Sequence, residues 1–215
     1  MLSMITTRLR RRAAAVVLSL SAVLATSAAT APAQSRTPAQ SQTPAQARTA
    51  AEAAPACPRF DDPVHAAVDR RVDVDRITPE PVWRKTCGTL YRSDSRVPAT
   101  IFEQGFHPKD VIEGQYDIEQ YVLVNQPSPY VSTTYDHDLY KTWYKSGYNY
   151  YIDAPGGVDV NRTIGDRHKW ADQVEVAFPG GIKPEYVIGV CPVDKTTRTE
   201  KMSECESNPH YEPWH

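Results

Sequence analysis

Several common signatures are missing from this chain. No two cysteines are spaced C-x-x-C, so a zinc ribbon or a dithiol redox centre has no ligands to build from. No G-x-G-x-x-G and no P-loop lysine motif occur, which removes a Rossmann dinucleotide site and a nucleoside-triphosphate cradle. The six histidines, His65, His107, His137, His168, His210 and His215, include no H-E-x-x-H or other close ligand spacing, so no metal is expected. No apolar run reaches the ~20 residues of a membrane-spanning helix, and no repeat of 20–50 residues is present. Positive charge is also short. Residues 1–56 hold six of the 24 basic residues and one of the 26 acidic ones, so the rest carries 18 against 25, a net −7. An acidic domain argues against broad, non-specific grip on a nucleic-acid backbone, which is mostly electrostatic.

What is present divides the chain in three. Residues 1–33 read as a secretory leader, with Arg8, Arg10, Arg11 and Arg12 before the apolar "AAAVVLSLSAVLA" and small residues through Ala31-Pro32-Ala33. Residues 34–56 contain the near-repeat "SRTPAQ"/"SQTPAQ" and no large apolar side chain; such a linker or pro-segment cannot bury a core. Residues 57–215 have the size of one domain. All four cysteines lie there, and an even count in a secreted chain implies disulfides. Of three possible pairings, Cys57–Cys87 with Cys191–Cys205 is favoured because each would tie a terminal arm to the body.

The domain reads as compact α+β. Strands are expected through Leu90 and Tyr91, over 121–125 ("YVLVN"), 130–134 ("YVSTT") and 148–155, in "QVEVAFP" and in "EYVIGVCPV". A helix should start at Pro98 and end at Gly105 with Ile101 and Phe102 inward. A second should run over 136–147, capped by Asp136 and closed by Gly147, with Leu139 and Trp143 four apart in the core. The tail after Pro192 looks irregular.

Three short pieces draw attention: "LYRSDSR" (90–96), "YVSTT" and "QVE" (173–175). Alone, each has an ordinary reading as a surface arginine, a β-prone run or a solvent-facing strand. On the expected strand "QVEVAFP", Gln173 and Glu175 project side by side while Val174 and Val176 point into the core. In this order, and with "GFHPKD", "APGGVDVN" and "VEVAFPGGI", they resemble the mono-ADP-ribosyltransferase toxins of the arginine–serine–glutamate class. Within that class the likeness is to the pierisin-like group that modifies guanine in DNA.

The resemblance implies a single ADP-ribosyltransferase-type domain, a split β-sandwich of mixed strands with short flanking helices. It implies NAD⁺ as co-substrate, a guanine-bearing acceptor (DNA, guanosine or guanine nucleotides), and catalytic positions at Arg92, Ser132, Gln173 and Glu175. Arg92, Ser132, Thr133, Asn125 and Glu175 would bind NAD⁺, with Arg96 the alternative arginine and Thr134 keeping the hydroxyl of the third Ser-Thr-Ser position. Gln173, Trp170, Trp143, Lys145 and Lys169 would meet the acceptor, although Trp143 also reads as core and the lysines as solvated. An arginine fork suits a pyrophosphate, and a carboxylate near the ribose suits the positive charge that develops there. Relatives that modify arginine carry a glutamate where this chain has Gln173. A neutral amide, with an acceptor and two donors, better matches a neutral guanine. Water or a protein arginine are the competing acceptors, and a non-catalytic, disulfide-stapled binding module the competing class. The expected state is a secreted monomer with no membrane partner.

Overall fold

The computed structural model describes residues 57–143 and 147–215. The expected leader (1–33), the expected linker (34–56) and Lys145 lie outside them. Eight strands form the sheet: β1 (Leu90–Asp94), β2 (Tyr130–Thr134), β3 (Tyr148–Ile152), β4 (Val158–Asp159), β5 (Glu175–Pro179), β6 (Val187–Asp194), β7 (Thr199–Glu200) and β8 (Glu206–Ser207). Their order is β4-β5-β2-β1-β3-β6-β7, with β8 also paired to β6. The expected mixed strands resolve into ladders that are antiparallel throughout; the parallel pairing among the described residues is the isolated bridge Thr78–Asp117.

One joint in this sheet is weak. β1 meets β3, and β2 meets β5, over five residue pairs each. β1 and β2 share only Tyr91 opposite Thr134. Beyond that pair the sheet splits, and polar groups of two central strands face a gap instead of each other.

Alternation along the strands sorts side chains into two apolar layers. Val131, Val176 and Phe178 pack with Leu90, Ile101, Phe106, Tyr150 and Ile182. Tyr130 and Ala177 pack on the opposite face with Ile118, Tyr121, Val122, Val158 and Val160. β5 ends at Pro179-Gly180-Gly181, where both glycines adopt positive φ (75° and 83°). A Cβ on Gly181 would sit 2.1 Å from the Phe106 carbonyl oxygen, so only glycine lets the chain close against that segment.

Helix α1 (Pro98–Gln104) follows the expectation: Pro98 opens it, Ile101 and Phe102 are buried, and the Gly105 N–H closes it on the Ile101 carbonyl. Both favoured disulfides are formed, spanning 30 and 14 residues. Other expectations fail. Residues 121–124 belong to helix α2 (Ile118–Val124), not to a strand. Asp117 caps it by accepting from the Gln120 N–H, Asn125 ends it in the left-handed region, and Ile118, Tyr121 and Val122 bury one face at helical spacing. The helix expected over 136–147 is one turn, α3 (Leu139–Thr142), preceded by Asp138 and not Asp136. Trp143 lies at its end, 38% exposed and outside the core. A fourth helix, α4 (Val160–Ile164), follows β4. The tail is ordered: β7, β8 and a 3-10 turn at Met202–Glu204 hold it to β6.

Candidate functional site

The site occupies the split between β1 and β2. Arg92, on β1, bridges it by donating from Nη1 to the Ser132 carbonyl at 2.7 Å, an acceptor facing the gap. Its Nε also reaches Asp94 Oδ2 at 3.2 Å. Arg96 grips the same carboxylate with two bonds, Nε–Oδ1 at 2.9 Å and Nη2–Oδ2 at 2.7 Å. Arg96 therefore holds Asp94, Asp94 helps aim Arg92, and Arg92 carries the half-buried guanidinium that lines the cleft. Burial alone would raise the Asp94 carboxyl, but the Arg96 fork and the Arg92 charge outweigh it and hold it at about 2.

Glu175 opens β5 opposite Thr134 and is 7% exposed. By strand alternation it shares a face with Ser132 and Ala177. The Tyr121 hydroxyl donates to Glu175 Oε1 at 2.7 Å. Burial pushes the Glu175 carboxyl up, while the Tyr121 and Ser132 hydroxyls and the Arg92 charge pull it down without cancelling the rise. Burial, with Glu175 beside it, holds the Tyr121 phenol well above its ordinary value, so it stays a donor.

Gln173 does not share a strand with Glu175. It ends a 3-10 turn, Ala171–Gln173, and Val174 then takes φ 41°, ψ 53°. A β-branched residue in the left-handed region costs of order 1–3 kcal/mol and must be held there by its surroundings. Holding it are the Thr134 hydroxyl, which donates to the Gln173 carbonyl at 2.6 Å, and the Tyr135 N–H, which donates to the Val174 carbonyl. The kink replaces the expected side-by-side projection, yet Gln173 and Glu175 still line the same cleft. The Gln173 amide has no hydrogen-bond partner among the described residues.

Three hollows of about 160, 240 and 150 Å³ meet at Ser132. Arg92 lines the first and third, and Gln173, Glu175 and Trp143 the first and second. Asn125 lines the second and third, and Trp170 the second. The Trp143 and Trp170 rings meet edge to face at 5.5 Å. Lys169 lies over the Trp170 ring at 4.8 Å and lines none of these hollows. Thr133 borders the first hollow, but its hydroxyl donates to the Val176 carbonyl at 2.8 Å, which ties it to the sheet. Thr134 likewise serves the Gln173 turn.

Tyr121 was not among the residues singled out from the sequence, because "YVLVN" reads as a strand. The capping pattern Asp117-x-x-Gln120 ahead of it is the signal that marks the helix. Among the described residues no cluster of His, Cys, Asp and Glu could hold a metal ion.

Arg92, Ser132 and Glu175 thus line one split, and the comparisons identify the family. The family model described as Scabin-like matches residues 90–211. A guanine-specific ADP-ribosyl transferase of Streptomyces coelicolor is 78% identical over 212 residues, 99% of this chain and all of that protein. Pierisin of Pieris brassicae is 40% identical over 110 residues, 46% of this chain and 13% of that much longer protein. Among solved structures, the scabin toxin of Streptomyces scabies in complex with NADH superposes with a TM-score of 0.75 at 89% identity, covering 76% of this chain and 99% of that one. With the fold, the split and the three converging residues in hand, the chain belongs to the Scabin-like family of ADP-ribosyltransferases.

Proposed function

We propose that this protein transfers ADP-ribose from NAD⁺ to the exocyclic amine of guanine. The observation that carries the reading is the neutral, unpartnered Gln173 amide beside the buried Glu175 carboxylate, with Arg92 across the same split. NAD⁺ supplies the ADP-ribose and nicotinamide is the leaving group; the bond broken joins the ribose C1′ to the nicotinamide nitrogen. The bond formed joins C1′ to the guanine amine, which gives up a proton.

Each residue fits a part of that exchange. Arg92 is aimed from two sides, so its remaining N–H groups can take pyrophosphate oxygens with little left to order. Glu175, fixed by Tyr121 and Ser132, is a negative charge that can hold a ribose hydroxyl and offset the positive charge growing on the sugar. Gln173 offers guanine an acceptor and two donors without a second buried charge. Trp170 and Trp143 are faces on which a base can stack, worth ~1–3 kcal/mol per base. Asn125, which lines a hollow together with Arg92, is suited to hydrogen-bond NAD⁺.

The acidic surface favours an acceptor met through one exposed base, such as guanosine, a guanine nucleotide or an unpaired guanine in DNA. Two disulfides suit an oxidising, extracellular compartment. N-terminal sequencing of protein from culture medium checks that location.

The test is mass spectrometry of protein and NAD⁺ with guanosine, duplex DNA or single-stranded DNA. A guanine product heavier by one ADP-ribose, lost in Glu175→Ala, is expected. Nicotinamide release without such a product points to NAD⁺ hydrolysis or to a protein acceptor. Gln173→Glu should lose the guanine product while still releasing nicotinamide.

A further inference from the structure

Glu200 lies on β7, outside the cleft, and its carboxylate is buried with 5% of the side chain exposed. Three side chains converge on it. The Tyr151 hydroxyl, from β3, reaches both oxygens at 3.0 and 2.9 Å. The Asn149 amide donates to Oε1 at 2.8 Å. His137 Nε2 stands 3.1 Å from Oε2 and 3.0 Å from the Tyr151 oxygen. The other ring nitrogen, Nδ1, lies 2.8 Å from Asp138 Oδ1. The histidine is thus a two-ended link between β7 and the residue that precedes α3. Tyr140, buried on α3, packs edge-on to the same ring. The Cys191–Cys205 disulfide closes the 14-residue loop on which Glu200 sits.

α3 is a single turn and cannot hold its own position. It carries Trp143 into the cleft, and Tyr91, Tyr140 and Asn149 form the wall between that cleft and the Glu200 cluster. We infer that Glu200 and His137 are positioning residues: a link from the disulfide-closed β6–β7 loop that fixes α3 and so sets the acceptor side of the cleft. The inference rests on the guanine-transferase reading and adds to it the device that orients Trp143. Neither residue lines the hollows, so the first step, loss of nicotinamide, should be nearly indifferent to them.

The test uses Glu200→Gln and His137→Gln in the whole protein. Glu200→Gln keeps the shape but replaces an acceptor with a donor where His137 must donate. Hydrogen exchange at the Lys141 and Trp143 amides, the bonds that define α3, should quicken about tenfold while core strands are unchanged. The KM for guanosine should rise about tenfold, with nicotinamide release in the absence of acceptor held within about twofold. His137→Gln should reproduce both effects. Unchanged exchange at α3 and unchanged KM in both variants would overturn the link. So would a parallel loss of transfer and nicotinamide release with faster exchange everywhere, since the cluster would then serve stability alone. If the parent protein itself forms no guanine product, the transferase reading has failed, and the exchange measurement alone decides the link.

Discussion

Asp94 and Glu175 are alike in solvent exposure, 8% and 7%, and both feel Arg92. Their carboxyls nevertheless move in opposite directions. Asp94 is held at about 2, whereas Glu175 is raised. Glu175 is the more deeply enclosed of the two, so burial weighs more heavily on it, and the partners widen the difference. Asp94 receives the two-pronged Arg96 fork in addition to Arg92. Glu175 receives the Tyr121 and Ser132 hydroxyls and a guanidinium bonded elsewhere. Asp94 belongs to an ion cluster that stabilises the fold; Glu175 is a carboxylate kept poorly neutralised, as the proposed reaction requires.

The sharpest way to break this comparison is Glu175→Gln. Losing a pre-placed charge at the reacting sugar should cut nicotinamide release by roughly 10²–10³-fold. The melting temperature should hold or rise, because burial opposes the charge that is removed. A variant that loses both activity and stability would show that Glu175 belongs with Asp94.

Asp94→Asn should instead cost about 2 kcal/mol of stability near neutral pH, set by the shift from 3.8 to about 2. Urea unfolding measures it. Activity should fall as well, because Arg92 loses one of its two supports.

Acidification separates the same pair. Asp94 lies below its unfolded value, so its stabilisation is full above 3.8 and is lost as the pH falls toward about 2. Glu175 lies above 4.5, so its ionised form costs stability, and the favourable share is present at acid pH and lost as pH rises through the raised value. Activity needs that ionised form. The acid limb of the rate should therefore appear at a pH where the fold is still intact, as a pH–rate profile beside a pH–melting profile would show.

The smallest effect expected is from Tyr121→Phe. It removes the 2.7 Å bond that partly offsets burial, so the acid limb should move to higher pH and the plateau rate fall about tenfold. An unmoved limb would mean that Ser132 and Arg92 alone set the state of Glu175.

These contrasts were unevenly legible beforehand. Arg92, Ser132 and Glu175 stand on strands whose β-rich runs and turn residues are local, so sequence placed them. "YVLVN" misled because its β-branched residues outweigh a four-residue capping pair, and Tyr121, the phenol on Glu175, went with it. Gln173 misled for the opposite reason: alternation through Val174 looked sound, but Thr134 and Tyr135, distant in sequence, hold Val174 in the left-handed region. Trp143 looked like core because its spacing from Leu139 suits a long helix, and α3 stops after one turn.

By itself the sequence determined the element types where a cap, a proline or a glycine governs a few neighbouring residues; it also favoured the disulfide pairing that the structure forms and singled out Arg92, Ser132, Gln173 and Glu175 as candidates. Tertiary structure alone decided that β1 and β2 part after Tyr91–Thr134, that Arg92 fills the gap, and that two carboxylates of similar exposure are shifted in opposite directions. Local signals act over a turn or a strand, whereas a charge responds to whatever the fold packs within a few ångströms of it, from any distance along the chain.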